Sequence, residues 1–193
     1  MRLFVAIYPD DQTKAYIRDC KQFLAKNKRN FRFTPMDQVH ITIKFLGADV
    51  NVDTFEEYSK DFQNRVAGYK TFEYQIKQPR LGFKAQTKPH ILHLPVQPNE
   101  SLDELTDLAT ESAKLFSAAQ IVRTRERKKL IHHITMARVK SGLSKAFTRD
   151  FKEKLLNLPH PEFASRAEGI SLIESTLSPT GPTYRELIKV PFV

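Results

Sequence analysis

A chain of 193 residues, 40% hydrophobic and 27% charged, is sized for one ordinary domain and is too apolar for a disordered tail. Its one cysteine, Cys20, excludes an internal disulfide, so a reducing cytosol is the expected setting. The 31 Lys and Arg against 22 Asp and Glu give a formal charge of +9, which favours a polyanionic partner such as nucleic acid or an anionic lipid surface.

The opening apolar run, Leu3 to Tyr8, predicts a buried strand. It stops at Pro9-Asp10-Asp11, too early for a signal-peptide core or a membrane span. A cytoplasmic protein without a membrane partner is therefore expected. Asp10 and Asp11 predict the cap of a helix to about Lys28, with Ala15, Cys20, Phe23 and Leu24 on its apolar side. Phe31 to Thr34 and Val39 to Leu46 predict strands joined by a turn at Pro35-Met36-Asp37-Gln38. Phe55, Tyr58 or Ser59, Phe62 and Val66 mark a second helix.

Alternation at Phe72, Tyr74 and Ile76 predicts a half-buried strand, and Ile91 to Val96 another. A helix follows with Leu102, Leu105, Leu108, Ala109 and Leu115. Residues 123 to 140 then hold seven Lys and Arg against Glu126 alone, a basic loop running into a strand from Ile131 to Val139. Ser144 predicts the cap of a helix with Phe147, Phe151, Leu155 and Leu158 on one stripe. Ile170 to Ile173 and Leu187 to Phe192 predict the last strands. The order is that of an α+β protein. No low-complexity tract or Gly/Ser linker divides it, so residues 1–193 are read as a single domain.

One pattern repeats. His40-Ile41-Thr42-Ile43 and His133-Ile134-Thr135-Met136 are near copies 93 residues apart, each on a predicted strand, which predicts two pseudo-symmetric lobes facing one another. Strand alternation puts each His and Thr on one face and the apolar residues between them on the other. Chance alone would give about 0.4 such triplets in this composition, so the apolar strand around each copy and the basic stretch before the second carry the argument. Hydrolysis of a cyclic phosphodiester needs a base for the attacking water and an acid for the departing oxygen. Two imidazoles supply both near neutral pH, and neighbouring Thr hydroxyls can donate to the non-bridging phosphate oxygens. No metal is expected, because Thr is a poor ligand and adjacent His132 and His133 point to opposite faces.

Together the opening Arg2-Leu3-Phe4-Val5-Ala6-Ile7, the stretch His40 to Gly47, the stretch His133 to Arg138, and Glu174-Ser175 with Tyr184 resemble the 2H phosphoesterase superfamily. The closest resemblance is to the RNA 2',3'-cyclic phosphodiesterases historically labelled 2'-5' RNA ligases. The chain departs from the family pattern at Phe33, where Trp is frequent, and at His132, where Pro is frequent. The resemblance implies an antiparallel-rich sheet with flanking helices in each lobe, a central cleft, and a monomer that needs no cofactor. It also implies His40 as proton donor to the leaving 3' oxygen, His133 as proton acceptor from water, and Thr42, Thr135 and Arg138 as substrate-binding residues. The expected substrate is an RNA ending in a 2',3'-cyclic phosphate, opened to the 2'-phosphate, with 2'-5' joining as the reverse reaction. Two alternatives stand beside it: a small cyclic nucleotide or ADP-ribose cyclic phosphate as substrate, and an RNA-end binder without turnover.

Strict alternation places Arg138 with Ile134 and Met136, away from His133, so it reaches the site only if the strand ends or bulges first. A phosphate contact and a structural ion pair both stay open for it. By the same rule Lys44 shares the face of His40, while Phe45 falls on the core side. Phe33 and Phe45 are candidates for stacking on a terminal base. His90, His93, His132 and His160 are read as structural.

Overall fold

Strand β1 (Leu3–Ile7) is buried at every residue, and a strand covered on both faces belongs in the interior of a sheet. In the computed structural model, which describes residues 1–85, 88–115, 131–140, 142–179 and 181–193, β1 lies between β3 (Ile41–Gly47) and β9 (Gly169–Ser178), antiparallel to both. Most of the basic stretch, from Arg123 to Lys129, falls outside the described residues.

The other strands of the main sheet are β2 (Phe31–Phe33), β5 (Arg80–Ala85), β6 (Lys88–Pro95), β7 (His133–Val139) and β10 (Gly181–Pro191). Their order is β10-β9-β1-β3-β7-β6-β5, with β2 also pairing to β7. The expected α+β, antiparallel architecture is the one adopted, its two halves continuous across β3 and β7. A single pair, Ile41 opposite Ile134, joins those two strands. Beyond it β7 changes neighbour and pairs with β2 instead. The turn from Pro35 to Gln38 therefore carries the chain from β2 to β3 along one edge of β7, the other edge being taken by β6, rather than closing a hairpin between them. A two-stranded sheet of β4 (Phe72–Tyr74) and β8 (Ser165–Ala167) stands apart.

Helix α1 (Asp11–Phe23) starts where Asp10 accepts a hydrogen bond from the Thr13 amide at 2.7 Å. It ends short of Lys28, because the chain tightens into a 3-10 turn at Ala25–Asn27. Its buried stripe is Thr13, Tyr16, Ile17 and Cys20, and Phe23 is exposed instead of buried. Helices α2 (Val52–Val66) and α3 (Glu100–Leu115) pack on each other, with α3 lying against β3. Helix α4 (Lys145–Leu156), capped by Ser144, stacks Phe151 on Phe31 of β2 at 4.9 Å between ring centroids. No helix among the described residues is long and apolar enough to cross a membrane.

The core follows the alternation. Leu3, Val5, Ile7, Ile41, Ile43, Ile134 and Met136 join the helices in the main cluster. Phe4, Ala6 and Ile173 form a second, smaller cluster with Tyr8 and Tyr184. The helices thus cover one side of β3 and β7 and leave the His/Thr side for a cleft.

Candidate active site

His40, Thr42, His133, Thr135 and Arg138, taken from two strands 93 residues apart in sequence, line one cleft of about 340 Å³. The pairing of Ile41 with Ile134 explains the convergence. In antiparallel strands it sets His40 across from Thr135 and Thr42 across from His133, all four on the face away from the two isoleucines.

The two histidines are held alike. Nδ1 of His40 lies 2.8 Å from the Gln38 carbonyl, and Nδ1 of His133 lies 2.9 Å from the Ile131 carbonyl, in each case two residues back along the chain. A carbonyl only accepts, so Nδ1 carries the proton in both rings and the proton chemistry is left to Nε2. Their surroundings differ. His40 packs against Phe4 at 4.9 Å and edge-on to Tyr184 at 5.3 Å. His133 meets the ring of His93 edge-on at 5.5 Å. Burial lowers the pKa of His40 to about 4, against the raising effect of the Gln38 carbonyl, with the charges of His133 and Arg138 lowering it further. Burial also lowers that of His133, partly offset by the Ile131 carbonyl.

A bulge decides which residues beyond each Thr reach the cleft. On β7, Thr135 pairs with His93 and Ala137 with Leu92, so Met136 is skipped. On β3, Thr42 pairs with Ala6 and Lys44 with Val5, so Ile43 is skipped in the same way. An extra residue resets the alternation. Arg138 therefore swings to the His133 face and lines the cleft. Phe45 does the same on β3: it is 40% exposed and lines the cleft, contrary to its expected core position. Lys44 turns the other way, toward the helix side, where burial and Lys114 of α3 lower its pKa.

Phe33 also lines the cleft, together with Arg2, Phe4, Arg32, Ser175 and Tyr184. The Arg2 guanidinium lies over the Phe45 ring at 4.4 Å. Burial raises the Tyr184 hydroxyl while Arg138 and Arg2 pull it down. The rim at Thr34 and Pro35 is fixed from below by Lys21, whose Nζ donates to the Thr34 carbonyl at 2.5 Å; burial brings its pKa to about 8. Among the described residues the lining contains three arginines and no Asp or Glu, and no three His, Cys, Asp or Glu side chains gather as a metal site.

The remaining histidines divide. His90 and His160 are exposed and lie outside the cleft lining. His132 is buried on the helix side, its Nε2 3.1 Å from the Thr106 hydroxyl and its Nδ1 3.9 Å from Asp103. His93 is more than a bystander. Buried directly opposite Thr135, it packs on His133 and sits where a Cβ on Gly82 would come within 2.4 Å of its Cε1. Its place depends on the β6–β7 register, for which neighbouring sequence offers no signal.

Residues 7–93 match the family described as LigT like Phosphoesterase. An RNA 2',3'-cyclic phosphodiesterase of Thermotoga maritima is 28% identical over 195 residues, covering all of this chain and 96% of its own. One of Methanocaldococcus jannaschii is 29% identical over 191 residues, covering 98% of this chain and 99% of its own. Among solved structures, TT0787 of Thermus thermophilus shares the fold with a TM-score of 0.80 at 21% identity, covering 100% of this chain and 98% of that one.

Proposed function

We propose that this chain hydrolyses the 2',3'-cyclic phosphate at the end of an RNA, leaving a 2'-phosphate, in keeping with the match of residues 7–93 to the LigT like Phosphoesterase family. The observation that carries this reading is the matched anchoring of His40 and His133, both committed at Nδ1 and both lining one arginine-bearing cleft. His133 takes a proton from water through Nε2 as the oxygen bonds to phosphorus. The bond to the 3' oxygen breaks, and His40 gives that oxygen the proton from its own Nε2. Thr42 and Thr135 donate hydrogen bonds to the non-bridging oxygens, and Arg138 balances their charge. The two imidazoles end with exchanged protonation states, which solvent resets. If a 5' hydroxyl of a second RNA replaces the water, the same site serves: His133 takes its proton as the oxygen bonds to phosphorus, the bond to the 3' oxygen breaks and His40 protonates it, leaving a 2'-5' phosphodiester without ATP. Each half of the sheet contributes one histidine, so residues 1–193 act as one functional unit.

Phe45 and Phe33, both in the lining, suit stacking on the terminal base. Together with the three arginines they support an RNA end over a small cyclic phosphate. The test is incubation with a short RNA ending in a 2',3'-cyclic phosphate in excess EDTA, with the 2'- and 3'-phosphate products resolved. Conversion to the 2'-phosphate is expected. Salt-sensitive binding without conversion would leave an RNA-end binder, and conversion confined to mononucleotides would leave a small-substrate enzyme.

One observation favours the opposite order of roles: burial, with the charges of His133 and Arg138, lowers the pKa of His40 to about 4 and so holds it neutral. A bound phosphate anion raises both pKa values and restores the acid. The His40→Ala variant separates the two orders. It loses the alkaline limb of the pH–rate profile if His40 is the acid and the acidic limb if it is the base.

A further inference from the structure

Arg32 and Arg138 stand directly across from one another in the short β2–β7 pairing. Both line the cleft. Two guanidiniums facing one cleft whose lining, among the described residues, holds no Asp or Glu suit anionic groups on a ligand. The Arg32 side chain reaches from β2 to the start of β10. A Cβ built on Gly181 would lie 3.6 Å from its Cζ and from Nη1, so the guanidinium lies beside Gly181, which lines the same cleft. The other two arginines have roles within the lining. Arg2 covers the Phe45 ring, and Arg138 acts on His40 and Tyr184.

A cyclic phosphate bears a single negative charge, which Arg138 alone can balance. A second guanidinium, opposite Arg138 in the β2–β7 pairing and facing the same cleft, fits a second anion. In an RNA strand that anion is the phosphodiester preceding the terminal nucleotide. The geometry points to Arg32 as the reader of that penultimate phosphate, which makes the cleft selective for oligonucleotide ends over mononucleotides; this rests on the reading of the cleft as a site for RNA 2',3'-cyclic ends. Arg32 offers two parallel N–H donors to a phosphate's two non-bridging oxygens.

The test is equilibrium binding of two ligands to the full chain at several salt concentrations: a short RNA ending in a 2'-phosphate, and a nucleoside 2'-monophosphate. The parent protein is expected to hold the RNA more tightly. Arg32→Gln should cut the RNA-to-mononucleotide affinity ratio about tenfold and lower the salt slope for RNA by about 0.7, whereas Arg138→Gln should weaken both ligands. A second arm changes the ligand. Replacing the penultimate phosphate by an uncharged methylphosphonate should weaken binding to the parent about tenfold and leave binding to Arg32→Gln nearly unchanged. Equal losses for both ligands in Arg32→Gln, or indifference of the parent to the methylphosphonate, would overturn the proposal. Binding reads Arg32 and turnover reads the enzymatic function, so each idea can fail without the other.

Discussion

His40 and His133 share their backbone anchor but not their surroundings, and that difference is testable through pH. Both pKa values are lowered by burial, His40 to about 4. The profile of kcat/KM, which reports the free protein, should therefore be a bell with both limbs on the acidic side of the ordinary imidazole value. The bound phosphate anion raises both groups, so the bell for kcat should lie at higher pH than the bell for kcat/KM. Coincident profiles would mean that the substrate's charge does not reach these imidazoles. The threonines carry a second expectation. Thr42→Val or Thr135→Val should lower kcat by about tenfold to a hundredfold with little loss of stability, because each removes a donor to the phosphate while keeping the β-branched shape. Unchanged kcat would make both residues mere strand formers. The four side chains of the repeated triplets were legible in the sequence because strand alternation is reliable over three residues. Arg32 and His93 were not, since each owes its place to cross-strand pairing with β7.

At the scale of the element, the matching bulges at Ile43 and Met136 determine what the cleft presents. Strict alternation misplaces Lys44 and Phe45 for one physical reason: nothing in the residue types marks an apolar residue that its partner strand will skip. The same skip gives the cleft Phe45 on one side and Arg138 on the other, a stacking surface and a charge at equivalent positions. Strand β8 has only three residues, too few to show an apolar period; β5 does alternate, at Leu81, Phe83 and Ala85, with Gly82 weakening it as a strand signal. Gly82 supplies the element-scale prediction. A Cβ there meets the buried His93 ring at 2.4 Å, and that ring has His133 beside it. Gly82→Ala should therefore lower both Tm and kcat, and the added change His93→Ala, which opens the space, should recover part of the Tm but not kcat. Recovery of neither would show that Gly82 matters for reasons other than this contact. The single Ile41–Ile134 pair joins the sheet halves through two side chains that are fully buried. Ile134→Ala should cost about 2–5 kcal/mol in chemical denaturation.

Across the whole molecule, the charge of +9 and the arginine-bearing cleft lining act in one direction, toward a polyanion whose binding weakens with salt. The buried imidazoles act on stability. His40 and His93 have folded-state pKa values of about 4, well below the ordinary value of 6.5. The unfolded chain takes up protons there first, so the stabilisation present above pH 6.5 is lost as pH falls toward 4. Each group contributes up to a few kcal/mol by this linkage. Tm should fall across that window, less steeply in His93→Phe than in the parent; equal slopes would remove His93 from the explanation. The α+β order and the facing of two repeated strands were readable from the sequence, whereas the continuity of the two sheet halves rests on one residue pair that no local pattern announces.

The central claim is that His40 and His133 work as one acid–base pair on a cyclic phosphate. The most direct test is the single-turnover rate on an RNA 2',3'-cyclic phosphate end for the parent, His40→Ala, His133→Ala and the double variant. The account predicts that each single change lowers the rate by about 10²–10⁴-fold and that the double variant is about as slow as the slower single one, because a lone acid or base has no partner left to act with. Losses that multiply in the double variant, or one single variant that keeps most of the activity, would contradict it.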